Sequence, residues 1–129
     1  KIWSALESAA VADDVAAMPM KLETIVMEGA GNMSGGQAQR IAIARALIHQ
    51  PRVLLMDEAT SALDPKSQLR INETVQSLGI TRISVAHRLA SIRDADRIIV
   101  LRDGKAAESG TWDELKHQGY LAEILAKGH

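Results

Sequence analysis

The stretch M-S-G-G-Q, residues 33–37, stands just before I-A-I-A-R-A-L-I, a run whose composition favours a helix. Its serine and glutamine have the spacing of a capping box, in which each side chain satisfies a backbone N–H group of the first turn. The two glycines are not explained by capping, because glycine inside a helix costs roughly 1 kcal/mol relative to alanine. A first turn without side chains lets an anion reach bare N–H groups at the positive end of the helix dipole. The stretch therefore predicts a helix, ending near His49, whose first turn contacts a phosphate.

Composition limits the kinds of protein that the chain can be. Its 129 residues, 47% of them hydrophobic, suit one small domain with a modest core. The net charge of −1, with no block of like charges, argues against a nucleic-acid partner. There is no cysteine, which excludes disulfides and thiolate metal sites. No apolar run approaches the ~20 residues of a membrane-spanning helix, so we expect this segment to be soluble. Because it starts at Lys1 rather than methionine, we expect a piece of a longer protein.

Helices and strands alternate along the chain. The alanine-rich residues 4–17 predict a helix that stops near Pro19. The apolar run V-L-L-M at 53–56 predicts a strand that helices cover on both faces, as in a parallel sheet. After it, Asp64-Pro65 has the composition of an N-cap followed by proline at the first helical position, and predicts a helix to about Leu78. This pattern indicates an α/β fold.

The remainder of the chain continues the α/β pattern. Residues 80–86 predict a second strand that ends at His87, and residues 97–101 predict a third. Asp103-Gly104 is typical of a tight hairpin turn. A second capping box at Thr111 begins a tail that we expect to form one or two amphipathic helices.

Acidic residues follow the predicted strand at 53–56 directly. Asp57 and Glu58 are either a solvated loop or a pair of carboxylates with separate tasks in nucleotide hydrolysis. In the second case one carboxylate holds Mg²⁺, usually through water, and the other orients or deprotonates the attacking water. His87 is likewise either a hydrogen-bonded structural residue or a group that reaches a phosphate near Glu58. The second interpretation gains support because neighbouring parallel strands bring their carboxyl ends into one crevice.

Four motifs together resemble the C-terminal half of an ATP-binding-cassette (ABC) ATPase domain, across essentially the whole chain. M-S-G-G-Q and the helix after it resemble the family's signature motif, and V-L-L-M-D-E resembles its Walker B strand. A-T-S-A-L-D at 59–64 resembles the D-loop, and A-H-R-L at 86–89 the switch-histidine loop. The resemblance implies the C-terminal part of a P-loop NTPase-like domain, a mostly parallel sheet flanked by helices. It also implies a helical signature portion at 1–50 and an ATPase-core portion at 51–129.

The resemblance also implies a role for each residue of the motifs. Ser34, Gly35, Gly36 and Gln37 would contact the γ-phosphate of ATP, and Asp57 would support Mg²⁺. Glu58 would be the general base and His87 the γ-phosphate sensor. Ser61 and Asp64 would face a second ATPase subunit in a head-to-tail dimer across ATP.

The family resemblance implies an ATPase that powers export across a membrane. Its partners would be the transmembrane domains of an exporter, and its location would be the cytoplasmic face of the membrane. Residues 24–31 resemble the loop with which exporters contact those domains, and residues 12–20 resemble exporters of bacteriocins and similar peptides. No G-x-x-x-x-G-K-[ST] motif occurs, so we expect the isolated chain to be inactive and not to bind ATP tightly. Two alternatives remain: a truncated, non-catalytic interaction module, and a soluble ABC ATPase without a transport role.

Overall fold

A computed structural model describes residues 1–27, 31–57, 62–86 and 89–128. The chain divides into two compact units, Lys1–Val85 and Ala86–His129. The predicted functional division at residue 50 stays a prediction. The α/β class is confirmed, because helices in both units accompany a parallel strand pair in the first and an antiparallel pair in the second.

The first unit contains four helices and a short parallel sheet, which is covered on one face. Its helices are α1 (Ile2–Ser8), α2 (Ala12–Ala17), α3 (Gly35–Leu47) and α4 (Pro65–Ser77), with a single 3-10 turn at Lys21–Glu23. Its strands are β1 (Val53–Asp57) and β2 (Thr81–Val85). Apolar side chains from all four helices and from β1 form one core.

The prediction of a single helix over residues 4–17 is wrong, because the chain turns between α1 and α2. Ala10 has a φ of 59°, in the left-handed region that alanine rarely adopts. The side chains on either side of it, those of Ala9 and Val11, are completely buried. Burial of these two side chains outweighs the helical preference of alanine, which is a weak local tendency that tertiary contacts override.

The predicted helices α3 and α4 are confirmed with their caps. Ser34 is the N-cap of α3, and the helix ends at Leu47, close to the predicted end. Asp64 is the N-cap of α4, and Pro65 occupies the first helical turn. Gly79, with a φ of 69°, follows α4 and adopts the left-handed conformation that commonly ends a helix.

Strands β1 and β2 pair in parallel, with Val53 opposite Thr81 and Asp57 opposite Val85. The apolar sequence of β1 predicts that the strand is buried on both faces, and this prediction is wrong. Leu54 and Met56 are buried, but Leu55 is 73% exposed. The helices of the first unit pack on the Leu54 side, which leaves the side chains of the opposite face in contact with solvent. The exposed apolar residues of this sheet are Val53, Leu55, Ile83 and Val85.

The second unit is a hairpin packed against short helices. It contains α5 (Leu89–Arg93), β3 (Ile98–Arg102), β4 (Lys105–Gly110), α6 (Trp112–Leu115) and α7 (Gly119–Gly128). The predicted turn is confirmed, since Asp103 and Gly104 both have positive φ and join antiparallel strands. Ile98, Val100 and Leu121 form its small core. In the described residues of the chain, no helix has the length and apolar character needed to cross a membrane.

The exposed face of the β1–β2 sheet should make the isolated chain associate with itself, because apolar surface in water favours contact with other apolar surface. We expect sedimentation velocity to show a mass that rises with concentration. Leu55→Lys should suppress the rise without unfolding the chain, since position 55 is on the surface. Glu73→Lys, an exposed substitution on α4, is the matched control and should leave association unchanged. A wild-type chain that stays monomeric at every concentration would contradict this expectation.

Candidate functional site

The first turn of α3 begins with the capping box that the sequence predicts. The Ser34 hydroxyl oxygen accepts a hydrogen bond from the backbone N–H of Gln37 at 3.0 Å. In return, the Gln37 side-chain oxygen accepts from the backbone N–H of Ser34 at 3.1 Å. These two bonds fix the backbone conformation at the start of the helix. We call residues 34–37 the signature turn.

The capping box leaves other donors of the signature turn available. N–H groups in the first turn of a helix have no partner inside the helix. The hydrogen bonds found among the described residues do not use the N–H groups of Gly35 or Gly36, and Gly35 is exposed. Ser34 accepts through its hydroxyl oxygen, so its hydroxyl proton can still be donated. The turn therefore presents donors, at the positive end of a helix of 13 residues, to an approaching anion.

Gly36 packs closely against another segment, a contact that sequence analysis missed. A Cβ atom at this position would lie 3.2 Å from the carbonyl oxygen of Ala62 and 3.6 Å from Cδ2 of Leu63. A Cβ atom on Gly35 would make an ordinary contact of 3.5 Å with Cβ of Ala62. The signature turn thus packs closely against residues 62–64, which we call the D-loop segment. No local pattern could have revealed this contact, because the two segments are distant in sequence.

Arg40 also holds the signature turn, and sequence analysis missed this residue as well. Its Nε donates to the carbonyl oxygen of Gly36 at 3.2 Å. Its Nη1 donates to the carbonyl oxygen of Ala10 at 2.6 Å and forms an ion pair with Asp14 at 2.8 Å. The side chain of Arg40 is only 15% exposed, which makes these charge-assisted bonds stronger than a pair in open solvent.

Asp57 lies exposed at the carboxyl end of β1, where the sequence places it. The parallel pairing puts it opposite Val85, two residues before His87, so the two strands end at one edge of the sheet. Glu58, Ser61 and His87 lie outside the described residues. Within the described parts of the chain, no group of three or more His, Asp or Glu side chains forms a metal cluster. A single carboxylate still suits Mg²⁺, which one or two carboxylates hold together with phosphate oxygens and water.

Asp64 caps α4. Its carboxylate accepts a hydrogen bond from the backbone N–H of Ser67 at 3.2 Å. Hydrogen bonds from the Ser67 side chain and backbone hold the pKa of Asp64 below its ordinary value of 3.8, because they favour the charged carboxylate. Asp64 is exposed to solvent.

Comparisons with known proteins find similar sequences among ABC transporters. The family model described as ABC transporter matches residues 4–61. The ATP-dependent lipid A-core flippase of Burkholderia orbicola (strain AU 1054) is 46% identical over 127 residues, which cover 96% of this chain and 21% of the flippase. ATP-binding cassette sub-family B member 5 of Mus musculus is 49% identical over 116 residues, which cover 88% of this chain and 9% of that protein.

A solved structure extends the agreement to three dimensions. A bacterial Atm1-family ABC exporter with ATP bound superimposes with a TM-score of 0.91 at 43% sequence identity. The match covers 98% of this chain and 23% of the exporter. The chain therefore has the fold of part of an ABC ATPase domain, and its sequence is similar to that of ABC exporters. It spans about a fifth of the length of the flippase and less of the mouse protein.

Alanine at the two glycines of the signature turn should have unequal effects on stability. Gly36→Ala places a Cβ atom against a backbone carbonyl, and we expect it to destabilise the fold by about 1 kcal/mol or more, as overpacking does. Gly35→Ala, the matched control, should be neutral or slightly stabilising, because its contact is ordinary and alanine favours helix. Urea unfolding of both variants measures the difference. Equal free energies of unfolding would show that the D-loop segment does not press on Gly36.

Asp64 should make stability depend on pH. Because its folded pKa is lowered, its stabilising contribution is complete above the unfolded pKa and is lost as pH falls through the folded pKa. The difference in Tm between wild type and Asp64→Asn should therefore be constant above about pH 5 and decrease below it. Asparagine keeps a capping oxygen without the charge, whereas Asp64→Ala loses the cap and should be the least stable variant near neutral pH. A Tm difference that does not change with pH would contradict the assignment.

Proposed function

We propose that the chain supplies one face of an ATP-hydrolysing site in an exporter's ATPase subunit. The observation that carries this proposal is the signature turn, whose capping box leaves the N–H groups of Gly35 and Gly36 and the hydroxyl of Ser34 able to donate. Bare donors at a helix N-terminus favour phosphate oxygens. The match to an ABC exporter with ATP bound supports ATP as the source of that phosphate.

Each site residue has a proposed task. Ser34, Gly35 and Gly36 donate to the γ-phosphate, while the side chain of Gln37 keeps the turn in shape through the capping box. The carboxylate of Asp57 holds Mg²⁺, which neutralises phosphate charge when it is bound. Glu58, the next residue, acts as the general base on the attacking water, and His87 contacts the γ-phosphate after β2. These tasks suit phosphoryl transfer, which depends on positioning and charge stabilisation.

The remaining contacts to ATP are proposed to come from residues outside these 129. The sequence contains no G-x-x-x-x-G-K-[ST] loop, whose backbone and lysine hold the β- and γ-phosphates in P-loop enzymes. A second ATPase subunit, arranged head-to-tail, would present such a loop to the signature turn. Ser61 and Asp64 would then face that subunit. This arrangement explains why the isolated chain is expected to be inactive.

The hydrolysis is proposed to drive export across a membrane, with the ATPase on the cytoplasmic face. The names of the similar proteins, a flippase and an Atm1-family exporter, support this role. Transmembrane domains would contact the loop at residues 24–31. The narrower assignment to exporters of bacteriocins and similar peptides rests on residues 12–20 alone and stays a prediction.

Glu58→Gln in the longer ATPase subunit tests the proposal. We expect phosphate release to fall about a hundredfold or more, because general-base catalysis contributes at least that factor. Calorimetry should show that Mg·ATP binding is retained, since glutamine has the same size and only the proton acceptor is lost. Glu73→Gln, the same chemical change at an exposed position of α4, is the control and should keep both properties. Turnover at the wild-type rate by Glu58→Gln would refute the assignment of the base.

Binding by the short chain provides a second test. The 129 residues should show no tight binding of Mg·ATP in calorimetry, whereas the longer subunit should bind. If only the longer subunit binds and hydrolyses ATP, the shared-site proposal stands. Tight binding by the 129 residues alone would refute the proposal that the phosphate loop must come from elsewhere.

A further inference from the structure

The helix that begins at the signature turn is joined to the D-loop segment by a direct hydrogen bond as well as by the close approach of Gly36. The side-chain oxygen of Gln39 accepts from the backbone N–H of Ala62 at 2.9 Å. The carbonyl oxygen of the same residue, Ala62, is the atom that a Cβ on Gly36 would approach to 3.2 Å. The N–H group of Ala62 is therefore held by α3, and its carbonyl oxygen lies close to the first turn of the same helix.

Each of the two segments is also anchored by contacts elsewhere in the first unit. Leu63 is 6% exposed and belongs to the core of the first unit, and Asp64 caps α4. On the other side, Arg40 holds the Gly36 carbonyl oxygen against the corner between α1 and α2. Motion of Ala62 relative to the signature turn must therefore break the Gln39 bond or disturb one of these anchors.

We propose that Gln39 is a positioning residue that couples the D-loop segment to the phosphate-binding turn of the same subunit. This inference rests on the proposed function, in which the turn contacts one ATP and the D-loop segment faces the neighbouring subunit. Gln39 does not touch the nucleotide. It acts through Ala62, so that binding of phosphate at the turn also fixes the backbone of the D-loop segment. Such coupling makes the two ATP sites of a dimer depend on each other.

Substitutions at Gln39 in the assembled, longer ATPase subunit test the coupling. Gln39→Ala removes the acceptor, and we expect kcat to fall about fivefold, the effect of one neutral hydrogen bond, with KM for ATP unchanged. The Hill coefficient for ATP should fall toward one. Gln39→Glu keeps an acceptor oxygen at the same reach and should restore kcat and the Hill coefficient. Gln76→Ala, at an exposed position of α4, is the matched control and should behave as wild type.

Amide hydrogen exchange gives a readout that does not depend on turnover. In the wild type, a non-hydrolysable Mg·ATP analogue should slow exchange at Ala62, and Gln39→Ala should abolish that slowing. Without nucleotide, exchange at Ala62 should be several times faster in Gln39→Ala than in Gln39→Glu or Gln76→Ala. If Gln39 had a purely structural role, Gln39→Ala would lower Tm but would not lower kcat while leaving KM unchanged.

The possible results separate this inference from the proposed function. If the wild type hydrolyses ATP and Gln39→Ala matches it in kcat, Hill coefficient and exchange, the coupling is refuted and the ATPase assignment stands. If Gln39→Glu behaves as Gln39→Ala, the hydrogen bond to Ala62 is not the cause, which also refutes the inference. If the wild type does not hydrolyse ATP, the ATPase assignment fails. Exchange at Ala62 then still decides whether Gln39 holds the D-loop segment.

Discussion

The guanidinium of Arg40 is the interaction on which the arrangement of the first unit depends. It joins the corner between α1 and α2, through Ala10 and Asp14, to the first turn of α3, through Gly36. Because Arg40 is mostly buried, loss of any one partner would leave a desolvated group without its bond, which costs more than the bond contributes. The acceptor at this corner is the carbonyl oxygen of Ala10, a residue with positive φ whose two neighbours are buried. The position of the signature turn is therefore set by contacts made outside it.

The glycines of the signature turn satisfy two separate physical requirements. Anion binding needs bare N–H groups in the first turn, and either glycine could serve it. Packing of α3 against the D-loop segment needs a position without a Cβ atom, and only Gly36 of the two approaches a backbone carbonyl so closely. Sequence reasoning proposed the first requirement because the capping box left the glycines unexplained. The second became visible only with the fold, so the presence of Gly36 alone is not evidence for a phosphate.

Features that depend on neighbours within a few residues could be predicted from the sequence. The capping boxes at Ser34 and Thr111, the Asp64 cap and the Asp103-Gly104 turn are all of this kind. Predictions failed where distant residues decide the outcome. The corner at Ala10 contacts Arg40, 30 residues away, and the N–H of Ala62 contacts Gln39, 23 residues away. The exposure of Leu55 in particular became visible only with the fold, because an apolar strand sequence does not say which of its faces the same chain covers.

Rigid support of the signature turn has a direct bearing on the proposed chemistry. Donors that stabilise charge in phosphoryl transfer are most effective when they need no reorganisation as the reaction proceeds. The capping box fixes the turn from within, Arg40 bonds it to the α1–α2 corner, and Gln39, two residues after the turn, bonds the same helix to Ala62. These supports lie in one compact unit and come from this chain alone. A nucleotide held by another subunit would therefore meet donors that are already oriented. The conformational entropy of the turn is lost when the chain folds, so binding does not have to supply that cost.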